Sequence, residues 1–356
     1  MATNVEFFNQ YFGDSDSEAE FFGFDAVELD EIDHRNVVPE FEIPNLDNDD
    51  DILADIRSGW SKKIFNVELP EFTGEPGVNV NLRNDAPLSD FFNLFIDDDD
   101  FALMATETNR YYSQIHLRNR ENVKPNARMN LWYETSANEI KQFLGLTLNM
   151  GIVEKPSIWS YWSTDSLIET PIFHKTMSRD RYLNLLTFFH ITDNEQAVPR
   201  GHDDHNPLFK VHSFKETLQR RFRTIYTPEQ HIAIDEGMVP WKGRLSFRQY
   251  LPNKPDRFGI KLYQLSESKS GYICDFEVYT GKDFDPNPDG DEEDKQLGHS
   301  YNVVLGLLRN NNLLGKGYTV YTDNYYSSPT LFDKLRSEDT TAVGTVRLTR
   351  KEMPIA

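Results

Sequence analysis

At about residue 229 the hydrophobic period of this 356-residue chain changes, and the change limits what each side of it can become. Upstream, apolar residues recur at helical spacing. Ser136 and Glu139 stand as a capping box does, and Ile140, Phe143, Leu144 and Leu148 follow on one helical face. Gly151 is placed to stop that helix. Tyr182, Leu185, Leu186 and Phe189 mark a second helix, and a third is expected over about 209–226, ending in Arg220, Arg221 and Arg223. Short connections predict an all-α domain over 87–228. Downstream, residues 231–238 alternate as a strand, and 258–266 and 272–279 are two more around a Ser/Lys/Gly turn. A helix over 297–309, a strand over 318–322, a helix over 329–335 and a strand over 342–346 complete the order βββαβαβ for 229–356.

That order is the one found in an RNase H-like sheet, so the expected class is α+β: a helical domain, then an incomplete RNase H-like domain. In such a sheet the first three strands are antiparallel and the fourth lies beside the first. An acid in strand one and an acid ending strand four therefore become neighbours. Asp235 and Asp323 fill those places. On spacing alone a second reading stands beside this one, in which Asp235 ends a strand and Asp323-Asn324 is a turn.

Charge is distributed unevenly. Residues 1–100 hold 26 Asp and Glu against 5 Lys and Arg, and residues 101–356 hold 32 of each. The segment 1–86 is expected to be a disordered acidic arm, with Phe7, Phe8, Tyr11, Phe12, Phe21, Phe22 and Phe24 scattered among like charges. Its Asp14–Glu18 stretch would suit an acid-directed kinase. A balanced remainder can bind nucleic acid only through a local basic patch. The single cysteine, Cys274, excludes a disulfide framework and fits a core position. No apolar run reaches the roughly 18 residues of a membrane span, and the start is not basic, so neither a membrane nor a secretory route is expected.

Several long strings carry a family resemblance. IDEGMVPWKGRLSFRQYLPNKPDRFGIK (234–261), YTDNYYSSPTL (321–331), VGTVR (343–347), EIKQFLGL (139–146) and YWSTDSLIETPIFHKTMSRDRY (161–182) resemble the piggyBac transposase family from about residue 87 onward. The resemblance implies a cut-and-paste DNA transposase of the DDE/D class, acting at transposon ends flanked by TTAA through DNA hairpins. It implies a homodimer in the nucleus and two divalent ions, Mg²⁺ or Mn²⁺, about 3.5–4 Å apart. Asp235 should bridge the ions and Asp323 should hold one. Glu236 points to the other face of its strand by alternation and is not assigned as a ligand.

The family's third aspartate lies on a helix after the fifth strand, beyond Ala356; Glu352 comes too early to replace it. The Cys-rich tail of many relatives is absent too. The expectation is a fragment of a transposase that does not cleave DNA as given. The alternative is an inactive, domesticated DNA-binding protein.

DNA contact is expected from Lys242, Arg244, Arg248, Lys254, Arg257 and Lys261, interleaved with Trp241, Phe247, Tyr250 and Phe258. Basic side chains neutralise phosphates, and aromatics can stack on unpaired bases. An ordinary charged hairpin is the plainer reading, and Arg220, Arg221 and Arg223 are a weaker second patch. Residues 202–205 (HDDH) read as a polar loop, and 285–290 as a solvated excursion lacking the twelfth-position Glu of a calcium loop. Trp159 and Trp162 read as packing residues.

Overall fold

The computed structural model describes residues 68–83, 85–119, 123–202, 204–252, 257–350 and 352–353. Residues 1–67, and with them the aromatic-acidic stretch and the kinase-type site, lie outside the described residues.

In chain order, β1 (Gly77–Val78) precedes the helices α1 (Leu88–Asn93), α2 (Asp98–Asn119), α3 (Ala137–Ile152), α4 (Pro171–Thr176), α5 (Arg179–Phe188) and α6 (His212–Ile225). Next come β2 (Tyr226–Thr227), β3 (His231–Pro240), β4 (Gln249–Tyr250), β5 (Phe258–Glu267) and β6 (Ile273–Val278). The chain closes with α7 (Glu292–Gln296), α8 (His299–Asn310), β7 (Thr319–Thr322), α9 (Pro329–Ser337) and β8 (Thr341–Gly344). Among the described residues no helix is long and apolar enough to cross a membrane.

The helical region closes on Phe101, Met104, Ile140, Phe143, Phe173, Tyr182 and Leu185, all buried. Half of the expected capping box forms, with Ser136 Oγ accepting from Glu139 N at 3.4 Å. The Glu139 carboxylate instead accepts from Arg181 at 2.7 and 2.6 Å and from Thr135 Oγ1 at 2.7 Å. A charged, bidentate donor is the stronger partner. It sits between the rings of Trp132 and Tyr133, 4.7 and 3.7 Å from their centroids. The helix α3 also runs through Gly151, which does not take the left-handed conformation of a helix stop.

The sheet order is β4-β5-β3-β7-β8, with β6 also paired to β5. The strands β3, β5 and β6 are antiparallel, while β7 and β8 run parallel to β3. Omitting the two-residue β4, this is the RNase H-like arrangement expected from the element order, and the class is α+β. The face carrying Ile232, Ile234, Leu265 and Val320 packs against Val303, Val304, Leu307 and Leu308 of α8 and Leu331 and Leu335 of α9. Cys274 belongs to this core, and burial pushes its thiol up to about 12, so it is an inert packing residue.

Three expectations need amendment. Residues 68–83, inside the stretch expected to be a disordered arm, lie against the folded part. Phe72 meets Tyr318 edge-on at 4.9 Å, Thr73 N donates to Lys316 O at 3.0 Å, and β1 pairs antiparallel with β2. Apolar burial and ladder bonds hold a segment that the average charge of residues 1–100 obscured. Arg221 and Arg223 are not free to meet DNA. Arg221 donates to Phe95 O, Asp97 and Asp100, and Arg223 to the buried Asp275; only Arg220 is exposed. The excursion between β6 and α8 is solvated only in part: Asp285 and Asp289 are exposed, but Asn287 and, in α7, Asp294 are not. Asn287 is buried and bonded to Asn302 at 2.9 Å, and Asp294 is buried against Arg309 at 2.6 Å.

The same loop crosses α8 at Gly306, where an added Cβ would sit 1.9 Å from Pro286 O. A backbone carbonyl cannot swing aside as a side chain can. Gly306→Ala is therefore expected to destabilise the fold by about 1–3 kcal/mol, despite alanine's better helix propensity. Urea unfolding checks this, and an unchanged midpoint would contradict the close approach.

Candidate metal and DNA site

The parallel ladder between β3 and β7 ends with Ile234 opposite Thr322. The next residue on each side is an aspartate, Asp235 and Asp323, and both are exposed. Two hard carboxylates thus emerge at one level, on the side away from the core that Ile232 and Ile234 enter. Asp323 also forms the turn that the second reading required. Its Oδ1 accepts from Tyr325 N at 2.9 Å, and its carbonyl accepts from Ser327 N at 3.1 Å and Ser327 Oγ at 2.8 Å. Asp235 Oδ1 accepts from Glu236 N at 2.8 Å. One oxygen of each carboxylate is used locally, which fixes its plane. Among the described residues the Oδ2 atoms accept no hydrogen bond.

Glu236 lies on the core side of β3, opposite Tyr263 in the ladder. Tyr326 Oη donates to Glu236 Oε2 at 3.2 Å. Burial above all, and then the Glu236 charge, drives the Tyr326 phenol far above its ordinary pKa, so it stays a donor. Burial, with Tyr325 and Tyr279 nearby, does the same for Tyr263, whose hydroxyl lies 2.8 Å from His299 Nε2. Burial and the Lys261 charge hold His299 below the usual imidazole range. Tyr326 was not singled out by sequence. The available signal was its position three residues after Asp323 in an aromatic pair.

Asp235 and Asp323 fit one hydrated divalent ion. Carboxylate oxygens are the donors a hard cation takes, and an open side leaves room for the waters that Mg²⁺ retains. Among the described residues there is no group of three or more His, Cys, Asp or Glu that could hold a metal. Glu352 is bonded to Thr330 at the start of α9. Residues 202 and 204–205 form a polar turn, in which Asp204 N donates to His202 Nδ1 and His205 Nδ1 pairs with Val198 O.

The basic candidates separate by position. Lys242, Arg244 and Arg257 are exposed on the excursion between β3 and β5. Arg248 builds that excursion: its Nη1 donates to Lys242 O at 3.0 Å and its guanidinium lies 5.2 Å from the Phe258 ring. Lys261 turns to the core side, its ammonium 4.8 Å from the Tyr263 ring and 5.0 Å from that of Tyr325. Lys254 lies outside the described residues. Phe247 is buried, and Tyr250 and Phe258 pack ring to ring at 4.8 Å. Trp162 packs in the helical core and donates to Met177 O at 2.7 Å, while Trp159 is exposed with Arg179 over its ring at 4.4 Å.

A transposase family model described as Transposase IS4 matches residues 89–356. The chain is 28% identical to human PiggyBac transposable element-derived protein 3 over 82% of its own length and 46% of that protein's. It is 24% identical to human PiggyBac transposable element-derived protein 5, over 83% of its own length and 54% of that protein's. It thus spans about half the length of these curated relatives. A piggyBac transposase synaptic complex with hairpin DNA, solved by cryo-EM, matches with a TM-score of 0.63 at 24% identity, over 79% of this chain and 55% of that one. At that identity the structural likeness establishes the shared fold.

Proposed function

Given that this chain belongs to the piggyBac transposase family, we propose that it binds DNA and carries two of the carboxylates of a phosphodiester-transfer site. The observation that supports this best is the emergence of Asp235 and Asp323 side by side, one step beyond the last paired residues of β3 and β7. The family generally uses divalent metals. When bound, such an ion would polarise a phosphodiester oxygen and lower the pKa of an attacking water. Asp235 and Asp323 would hold it, each already oriented by its own backbone contact. Lys242, Arg244 and Arg257 would neutralise phosphates alongside, and Mg²⁺ or Mn²⁺ is the ion we propose. Transposon ends flanked by TTAA are the proposed DNA, acted on by a homodimer in the nucleus.

A second reading, a domesticated DNA-binding protein without cleavage, is supported by the likeness to human transposable element-derived proteins. A titration beside a nicking assay separates the two. We expect the 356-residue chain to bind Mn²⁺ and Asp235→Asn and Asp323→Asn each to weaken that binding about 100-fold; metal-dependent nicking of a TTAA-flanked duplex by the wild type supports the first reading, and metal binding without nicking supports the second. The magnitude assumes that losing a direct ligand costs at least what outer-shell changes do. Isothermal titration and a nicking assay give the readout. Two bound ions with metal-dependent nicking would establish a complete catalytic site, and binding unaffected by either substitution would remove the proposed one.

A further inference from the structure

We infer that Glu236 and Tyr326 are positioning residues that set the gap between the two metal-binding carboxylates, an inference that rests on the Asp235–Asp323 reading above. The ladder cannot set that gap. It stops at Ile234 and Thr322, one residue short of both aspartates. Beyond it, β3 continues alone on this side, and the chain after Asp323 turns away through Asn324 and Tyr325. A hydrogen bond that does join the two elements past the ladder runs from Tyr326 Oη to Glu236 Oε2 at 3.2 Å.

Its ends are well placed. Glu236 follows Asp235 directly, and its own N–H holds Asp235 Oδ1. Tyr326 closes the turn headed by Asp323, whose carbonyl is pinned by Ser327 at the next position. Tyr326 is fully buried among core side chains, so its ring cannot drift. Moving Glu236 relative to Tyr326 therefore moves Asp235 relative to Asp323. Alternation along β3 makes this economical, because one strand presents a metal ligand on its outer face and its brace on the inner face, one residue apart. Outer contacts of this kind are known to tune metal affinity by about 10–100-fold.

The test uses Mn²⁺ alone, titrated into the full 356-residue chain, beside thermal unfolding of each variant. Tyr326→Phe keeps the ring and removes the donor. Glu236→Ala removes the acceptor, and Glu236→Gln keeps an oxygen that accepts. We expect Tyr326→Phe and Glu236→Ala each to weaken Mn²⁺ binding about tenfold and Glu236→Gln to stay within about twofold of wild type. Tyr326→Phe should unfold within a few degrees of wild type, which separates positioning from general loss of structure. Wild-type affinity in both Tyr326→Phe and Glu236→Ala, with Asp235→Asn still impaired, overturns the inference and leaves the metal site standing. Mn²⁺ binding equal in wild type and the Asp235→Asn/Asp323→Asn double variant overturns both.

Discussion

Asp275→Ala is expected to cost about 2–4 kcal/mol of stability, the largest effect of any single substitution considered. Asp275 is 0% exposed in β6. Its carboxylate accepts from Gln219 Nε2 at 2.9 Å, Arg223 Nη2 at 2.8 Å, Asn311 Nδ2 at 2.7 Å and Phe276 N at 2.8 Å. These donors come from α6, from β6 itself and from the residue that follows α8. Removing one partner of a buried ion pair costs about 3–5 kcal/mol because the other charge stays buried. Arg223 keeps 32% of its side-chain surface, so water can take up part of the loss, and the expected figure is lowered accordingly. Asp275→Asn keeps one acceptor oxygen and should cost about 1–2 kcal/mol. Urea unfolding at neutral pH reads both. A loss below about 1 kcal/mol for Asp275→Ala would mean that α6 is held to the sheet by its other contacts, apolar packing and the bonds of Lys215 to Glu277 and Gln219 to Phe276 O.

That polar knot also shows where sequence reading stops. The β-strands were legible because alternation is local: the strand expected over 231–238 is β3, and those over 258–266 and 318–322 are β5 and β7. From their order the pairing of strand four with strand one followed, and with it the juxtaposition of Asp235 and Asp323. The capping residue Ser136 was legible for the same reason. Arg223 and Asp275 are 52 positions apart, and nothing in either neighbourhood marks the other. Arg223 therefore read as a basic helix end when it is a buried acid's counterion. Asn287 misled in the same way, since an acidic loop looks solvated until its partner Asn302 on α8 is known. Residues 68–83 were absorbed into an acidic average although Phe72 and the Gly77–Val78 strand have specific partners. Glu236 could be placed on the inner face by alternation, but its bond to Tyr326 spans 90 positions.

Removing the three exposed cations together, as Lys242→Ala/Arg244→Ala/Arg257→Ala, is expected to weaken duplex DNA binding about 100-fold at moderate salt. It should also reduce the slope of log affinity against log salt by about 3, because each lost phosphate contact removes close to one released counterion. The position of these residues supports the expectation. Pro240, where β3 ends, lies about 17 Å along the strand from Asp235 at the usual rise per residue. A cation there would be within reach of phosphates flanking DNA bound at the proposed Asp235–Asp323 site. Contacts that do not involve the three side chains help to frame the loop. Trp241 N donates to Phe258 O at 3.1 Å, Leu251 N donates to Arg257 O at 2.8 Å, and Arg248 bonds the Lys242 carbonyl. The triple variant should thus stay folded, with an unfolding midpoint near wild type. Arg248→Ala should behave in the opposite way, lowering stability through loss of its carbonyl contact and ring packing while the salt slope changes little. Fluorescence anisotropy with a labelled duplex across a salt series reads affinity and slope together. A slope unchanged in the triple variant would place the DNA elsewhere on the molecule. A full loss of slope in Arg248→Ala alone would make that arginine, rather than the exposed three, the phosphate contact.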